Sequence, residues 1–249
     1  MPPNEPPLPP VIYEDDWLIA FDKPSGLPVA PDHWDKSQEH LMGLVHRRLS
    51  PQIANAHRID RDTSGVLLCA KTLEALRAVR ELFDTHRVDK GYLALTRPAP
   101  AEDRGSIVVA ISPDGRRPGR MRATRDAREG KDCRTDYEVL ERSSGGRWAL
   151  VRLRPLTDRT HQVRVHLAYL GCPILCDALY GDGAPLRLSE LKHGYKPKGP
   201  ERPLIGRLAL HAESLLLPHP ATGVPLAITA PLPADFALAL KQLRRWAAR

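Results

Sequence analysis

The densest polar cluster in the chain is His57-Arg58-Ile59-Asp60-Arg61-Asp62-Thr63-Ser64-Gly65, set directly before a short apolar run that ends at Ala70. A polar loop entering a buried strand is where a rigid scaffold carries reactive groups. Asp60 is flanked by Arg58 and Arg61. Cationic neighbours favour the ionised carboxylate, lowering its pKa by roughly 1–3 pH units, and an ionised carboxylate can act as nucleophile or base. Asp, Thr, Ser and Gly are equally ordinary turn residues, and composition alone favours that plainer reading.

A second cluster, Arg159-Thr160-His161-Gln162-Val163-Arg164-Val165-His166, opens a segment with helical spacing. Backbone N–H groups and basic side chains at a helix start can receive an anion. With Val163 and Leu167 facing a core, Arg164 projects elsewhere, into a cleft; a solvated helix face explains the cluster equally well. A third feature is electrostatic: between Gly115 and Arg134 lie eight basic residues, among them Arg116, Arg117, Arg120 and Arg122, against three acidic ones. Nearly free of aromatics and punctuated by Pro118, Gly119 and Gly130, this window reads as an arm that follows phosphates and not as a base-stacking platform. Charge runs are more often simply solvated.

These clusters need elements to hold them. Val11–Tyr13 and Trp17–Phe21 read as a hairpin of short strands, and Ser37 is placed to cap a helix through Leu41, Leu44, Val45 and Leu49. Gly65–Ala70 has the pattern of a strand buried on both faces. Thr72 starts a helix with Leu73, Leu76, Val79 and Phe83 on one side; Lys90–Thr96 and Trp148–Leu153 are strands. Thr160–Leu170 is a helix closed by Gly171, Arg207–Leu217 and Val224–Ala230 are strands, and Asp235 caps a last helix through Phe236, Leu240 and Leu243. Strands outnumber helices and short turns join several, which predicts an α+β fold on a central mixed, largely antiparallel sheet flanked by helices and loops.

The whole chain bounds what such a fold can be. At 249 residues it is long enough for one large domain or two small ones with a cleft between them. No apolar run is long enough to cross a bilayer, and no membrane association is expected. The proline-rich residues 1–10 read as a tail outside the fold. Four cysteines are too few for a disulfide framework and fit a reducing, cytoplasmic setting. Cys172 and Cys176 lack a second ligand pair at finger spacing, so buried thiols and no metal are expected. A net charge of +7 and a pI near 9.4 call for a polyanionic partner.

His57–Gly65 (HRIDRDTSG) resembles the signature of the RluA family of pseudouridine synthases, and the likeness runs on to Lys71. DKPSGLPV (Asp22–Val29), KGYLA (Lys90–Ala94), RTHQVRVHL (Arg159–Leu167) and RLALHAESLLLPHPATG (Arg207–Gly223) resemble the same family in the same order, covering about Val11 to Pro231. The resemblance implies the pseudouridine synthase fold with a catalytic cleft, one catalytic domain over residues 11–249 with a basic insertion at about 115–134, and no cofactor. It implies that Asp60 is the catalytic aspartate, Arg164 the arginine that pairs with it, Tyr92 the ring that packs on the target base, and Arg58 an aid in displacing the target nucleotide. Structured RNA, ribosomal or transfer, is the implied substrate, with Arg61, Arg116, Arg117, Arg120 and Arg122 as further RNA contacts, and a monomer is expected.

Two departures are visible. Ile59 replaces the usual leucine, a volume-conserving exchange. Asp158 stands where relatives commonly have glycine, which would put an aspartate at a left-handed backbone position. Many relatives also carry an N-terminal S4-type domain; here target choice is expected to rest on the catalytic domain and its insertions.

Rival readings are weaker. His211-Ala212-Glu213 matches half of a zinc deaminase signature, yet every cysteine precedes it. The glycine-rich loop and D-F-G of a kinase are missing. Asp60 and Asp62 are too close along one loop to flank a sugar as a glycosidase pair. A non-catalytic RNA-binding factor would not need an acid at the centre of a phosphate-binding surface.

Overall fold

The computed structural model describes residues 6–31, 38–126, 128–197 and 199–246. The chain divides into two compact units, Met1–Asp89 with Ala212–Pro231, and Lys90–His211 with Leu232–Arg249.

The first unit opens on the expected hairpin, β1 (Val11–Glu14) and β2 (Leu18–Lys23). Its turn is fixed by Asp15, whose carboxylate accepts from the N–H groups of Trp17 and Leu18 at 2.7 Å. Pro9 is buried and the Pro10 carbonyl accepts from Asp22 N–H, so the proline-rich segment joins the fold just before Val11. Then come α1 (Leu41–Arg48), β3 (Ala54–Asn55), β4 (Ser64–Ala70) and α2 (Leu73–Asp84). The α1 cap is His40, whose Nδ1 accepts from Gly43 N–H; Ser37, the expected cap, lies outside the described residues. Strand β4 is buried throughout, and the reason is a helix on each side. Leu18, Ala20, Val66 and Leu68 pack in one cluster with Ala75, Leu76, Val79 and Leu82 of α2. Alternation sends Leu67 and Cys69 to the other face, where Cys69 Sγ lies 3.9 Å from Met42 Sδ of α1. Each fully buried aliphatic side chain here contributes about 1.5–3 kcal/mol. The α2 face is rotated from the expected one: Leu73 is exposed and Ala75 and Leu82 are buried in its place.

The second unit contains β5 (Asp89–Thr96), β6 (Arg104–Val108), β7 (Ala110–Pro113), β8 (Met121–Thr124), β9 (Arg134–Arg142), β10 (Ala149–Pro155), α3 (Gln162–Tyr169) and α4 (Leu188–Leu191). Strand β11 (Leu210–Pro218) and β12 (Pro225–Thr229) follow, and α5 (Ala234–Trp246) ends the chain's secondary structure. The order β5-β10-β9-β6 is antiparallel at every step. The basic window carries the turn and second strand of a separate two-stranded sheet, β7 paired with β8. Phe236, Ala239, Leu240 and Leu243 of α5 and Val163 and Leu167 of α3 share a core with Leu95, Val151 and Leu153. In the first unit β11 pairs antiparallel with β12. The fold class is therefore α+β on largely antiparallel sheet, as the sequence predicts. Among the described residues no helix is long and apolar enough to cross a membrane.

Candidate active site

In the first unit, residues 57–63 form a loop between β3 and β4 that is anchored from several directions. His57 is buried, stacks on Phe83 at 5.0 Å, and its Nε2 accepts from Leu68 N–H at 3.0 Å. Ile59 and Thr63 are buried, so the loop alternates inward anchors with outward polar groups: Arg58 and Arg61 are exposed and Asp60 is half-buried. The Thr63 N–H closes a turn onto the Asp60 carbonyl at 3.2 Å.

The neighbouring segment Lys23–Leu27 grips this loop. Lys23 is fully buried, and its ammonium donates to the carbonyls of Pro24, Leu27 and Arg61, each at 2.8 Å. Gly26 N–H also reaches the Arg61 carbonyl, and Ser25 Oγ donates to the Asp62 carbonyl at 2.6 Å. Sequence reasoning gave Lys23 no role. Its signal was available: a lysine at the inward end of an apolar strand, followed by Pro-Ser-Gly, must find carbonyl partners if it is buried. At the loop's other end Gly65 has φ +114°, and a Cβ there would sit 2.1 Å from the Ala212 carbonyl oxygen of β11. Only glycine lets the two backbones approach so closely. The Arg61 guanidinium also engages the Asp62 carboxylate, at 3.0 Å.

In the second unit, α3 is buried from Gln162 to Leu167. A helix wrapped on all sides must satisfy its polar groups internally, and it does. Gln162 accepts from Thr157 Oγ1 and donates to Thr135 Oγ1 and the Arg134 carbonyl. His166 contacts Thr135 Oγ1 and the Val109 carbonyl; burial pushes its pKa down from 6.5 to about 4. Arg164 is buried and grips Asp177 with two parallel bonds of 2.8 Å, Nε to Oδ2 and Nη2 to Oδ1. Asp177 is buried too, and its Oδ1 further accepts from the N–H groups of Leu179 and Tyr180. Such a bidentate, charge-assisted pair fixes a guanidinium in position as well as in charge. Sequence reasoning missed Asp177, although a lone acid within the apolar stretch Cys172–Leu179 implies a buried cationic partner.

Tyr92 lies on β5, half-buried and opposite Leu153 of β10. Close by in sequence, Lys90 is buried, donates to the Thr157 carbonyl at 3.2 Å and lies 3.8 Å from the Asp158 carboxylate. Burial lowers its pKa, and Asp158 opposes that shift. The expectation for Asp158 is corrected here. It is not among the residues with positive φ; the left-handed position is His161, φ 57°, at the start of α3. Asp158 instead supplies Lys90 with a counter-charge.

Of the expected RNA contacts on the basic window, Arg116 and Arg117 are exposed at the tip of the β7–β8 hairpin. Arg120 lies with its guanidinium carbon 5.4 Å from the Tyr180 ring centre, and Arg122 pairs with Glu129 at 2.5 Å. All four cysteines are unpaired and buried, and burial pushes the Cys172 thiol up to about 12.

The chain matches the RNA pseudouridylate synthase family over residues 17–169. It is 36% identical to ribosomal large subunit pseudouridine synthase D of Xanthomonas campestris pv. campestris, covering 96% of this chain and 70% of that protein. It is likewise 36% identical to ribosomal large subunit pseudouridine synthase C of Escherichia coli, covering 94% and 70%. In three dimensions it resembles human RNA pseudouridylate synthase domain containing 4, with a TM-score of 0.70, 32% identity, and coverage of 94% of this chain and 92% of the human one.

Proposed function

The chain belongs to the RluA-type RNA pseudouridylate synthases, and from that membership we propose that it isomerises uridine in large-subunit ribosomal RNA through the Asp60 carboxylate. The relatives that carry this substrate in their names supply the substrate class. The observation that carries the choice of residue is the anchoring of the 57–63 loop: its backbone is tied down around a buried ammonium while Asp60 itself stays half-exposed. A reactive group on a fixed loop keeps its aim without reorganisation.

The chemistry balances within the nucleotide. The N1–C1′ bond breaks, the uracil turns, C5 joins C1′, the C5 proton leaves and N1 takes one up, with no external group donor. Asp60 acts on the ribose, either by attack at C1′ or by removing a sugar proton to give a glycal. By the family resemblance Arg164 is assigned as the partner of that aspartate and Tyr92 as the ring that stacks on the detached base. Because the reacting bond is covered in stacked RNA, the nucleotide is flipped out at a cost of a few kcal/mol, which contacts from Arg58, Arg61 and the basic hairpin offset. The enzyme acts as a monomer in the cytoplasm.

The test is direct. Carbodiimide-primer extension on large-subunit RNA from a strain lacking the gene should show at least one pseudouridine lost, and a supplied copy should restore it. An unchanged map excludes this RNA as substrate. With the purified protein, Asp60→Asn should abolish tritium release from C5-labelled uridine, by more than about 10³-fold, while RNA affinity is kept; retained activity removes Asp60 from its role.

A further inference from the structure

Tyr180 occupies a position that neither the motifs nor the family assignment singles out. Its hydroxyl accepts from the backbone N–H of Met121, at the start of β8, at 2.9 Å. The same oxygen lies 2.8 Å from Nδ1 of His161, at the start of α3. With the oxygen accepting from Met121, its own proton is available to that imidazole nitrogen. The ring has two cations over it: the guanidinium carbons of Arg120 and Arg164 lie 5.4 Å and 5.1 Å from its centre. Its backbone N–H donates to Asp177, the carboxylate that grips Arg164. The turn end of β8 is packed onto the same residue, since Met121 and Tyr180 both cover the small core of Ile111, Cys133 and Val165. The hairpin beyond is wound tightly, with Asp114 N–H on the Arg120 carbonyl and Arg117 N–H on the Asp114 carbonyl, and it carries Arg116 and Arg117 at its tip.

We propose that Tyr180 is a positioning residue that couples the basic hairpin to Arg164, so that RNA held at the hairpin tip contributes to turnover and not to affinity alone. The physical path is short. A phosphate drawing on the hairpin moves β8 through Met121 and Arg120, both of which engage Tyr180 directly, and Tyr180 shares its ring and its Asp177 partner with Arg164. A cation over an aromatic face is held by a modest attraction, enough to bias a side chain's aim without holding the fold together. The inference rests on the assignment of Arg164 and Asp60 made above.

The test is a double-mutant cycle read with enzyme in saturating excess over RNA, using the full-length chain and large-subunit RNA transcribed in vitro with C5-tritiated uridine. The tip variant Arg116→Ala/Arg117→Ala should weaken RNA binding and also lower the single-turnover rate. Tyr180→Phe, which keeps the ring and loses the hydroxyl, should lower that rate about tenfold with affinity unchanged. Combining them should cost less than the product of the two separate rate losses, because the Met121 leg of the path is already cut, while affinity still falls. Arg120→Gln, which leaves the tyrosine in place, carries the same cycle if Tyr180→Phe folds poorly. Rate losses that multiply in the combined variant, or a tip variant that alters affinity alone, overturn the coupling. A wild-type chain that releases no tritium overturns instead the reading of function on which it rests.

Discussion

The two units hold their central cations by opposite means. In the first, the Lys23 ammonium sits among three main-chain carbonyls; in the second, the Arg164 guanidinium is met by the Asp177 carboxylate. A main-chain carbonyl is neutral and belongs to the backbone, so no side-chain substitution removes these three acceptors. An ion pair can be broken from either end, and breaking it leaves a buried charge. The first arrangement shapes a backbone, here that of the Asp60 loop, whereas the second aims a side chain. What each can tolerate should differ accordingly.

Asp177→Ala should have the largest effect, because it removes the carboxylate from a buried guanidinium; such a break costs about 3–5 kcal/mol. Urea unfolding would read it as a lowered midpoint. The double replacement Arg164→Met/Asp177→Leu should recover most of that stability, since neither charge remains, while pseudouridine formation stays lost. Lys23→Met should cost about 2–4 kcal/mol by leaving three backbone acceptors without their donor. If Asp177→Ala proved milder than Lys23→Met, or the double variant no better than the single, the contrast between cage and pair would be wrong.

The same contrast explains what the sequence disclosed. The Asp60 loop was legible because its parts are contiguous: nine residues carry the acid, the anchors His57, Ile59 and Thr63, and the glycine that admits β11. Strand β4 was legible because helices on both faces demand unbroken apolar residues. The Arg164 clamp was not, since Arg164 meets Asp177 and the Tyr180 ring, Tyr180 in turn meets Arg120 and Met121 of the hairpin, and no local pattern links them. The α2 face was misplaced because Leu73 at the first helical position points outward while Ala75 and Leu82 close the core. Strands β7 and β8 escaped notice because four residues each is too short for a pattern of alternation to register, and β7 ends on a proline. Asp158 was read against a glycine, yet the left-handed turn is made three residues later, by His161.

Buried groups in the second unit also give it a pH signature. His166 titrates near 4 when folded, against an ordinary 6.5. Between those values the unfolded chain binds a proton that the folded chain refuses, so stability should fall as pH drops from about 6.5 to 4 and be unaffected by this group above that window. The loss should be on the order of 3 kcal/mol at the bottom of the window. His166→Gln should flatten that part of the curve measured by urea unfolding at a series of pH values. An unchanged slope would mean that other groups govern acid sensitivity.

The smallest expected effect separates two parts of the hairpin itself. Arg116 and Arg117 stand exposed at the tip, whereas Arg122 already has the Glu129 carboxylate at 2.5 Å. Binding to RNA releases counterions in proportion to the phosphates neutralised, roughly 0.7 in the logarithmic salt slope per contact on a single strand. Arg116→Ala/Arg117→Ala should therefore reduce the slope by about 1.4. Arg122→Ala should reduce it by clearly less than one contact, because its charge is in part spent on Glu129 before RNA arrives. Fluorescence anisotropy of labelled RNA across a salt series reads both slopes. Equal losses per arginine at the two places would show that the Glu129 pair opens on binding, and that the whole hairpin and not only its tip follows the phosphates.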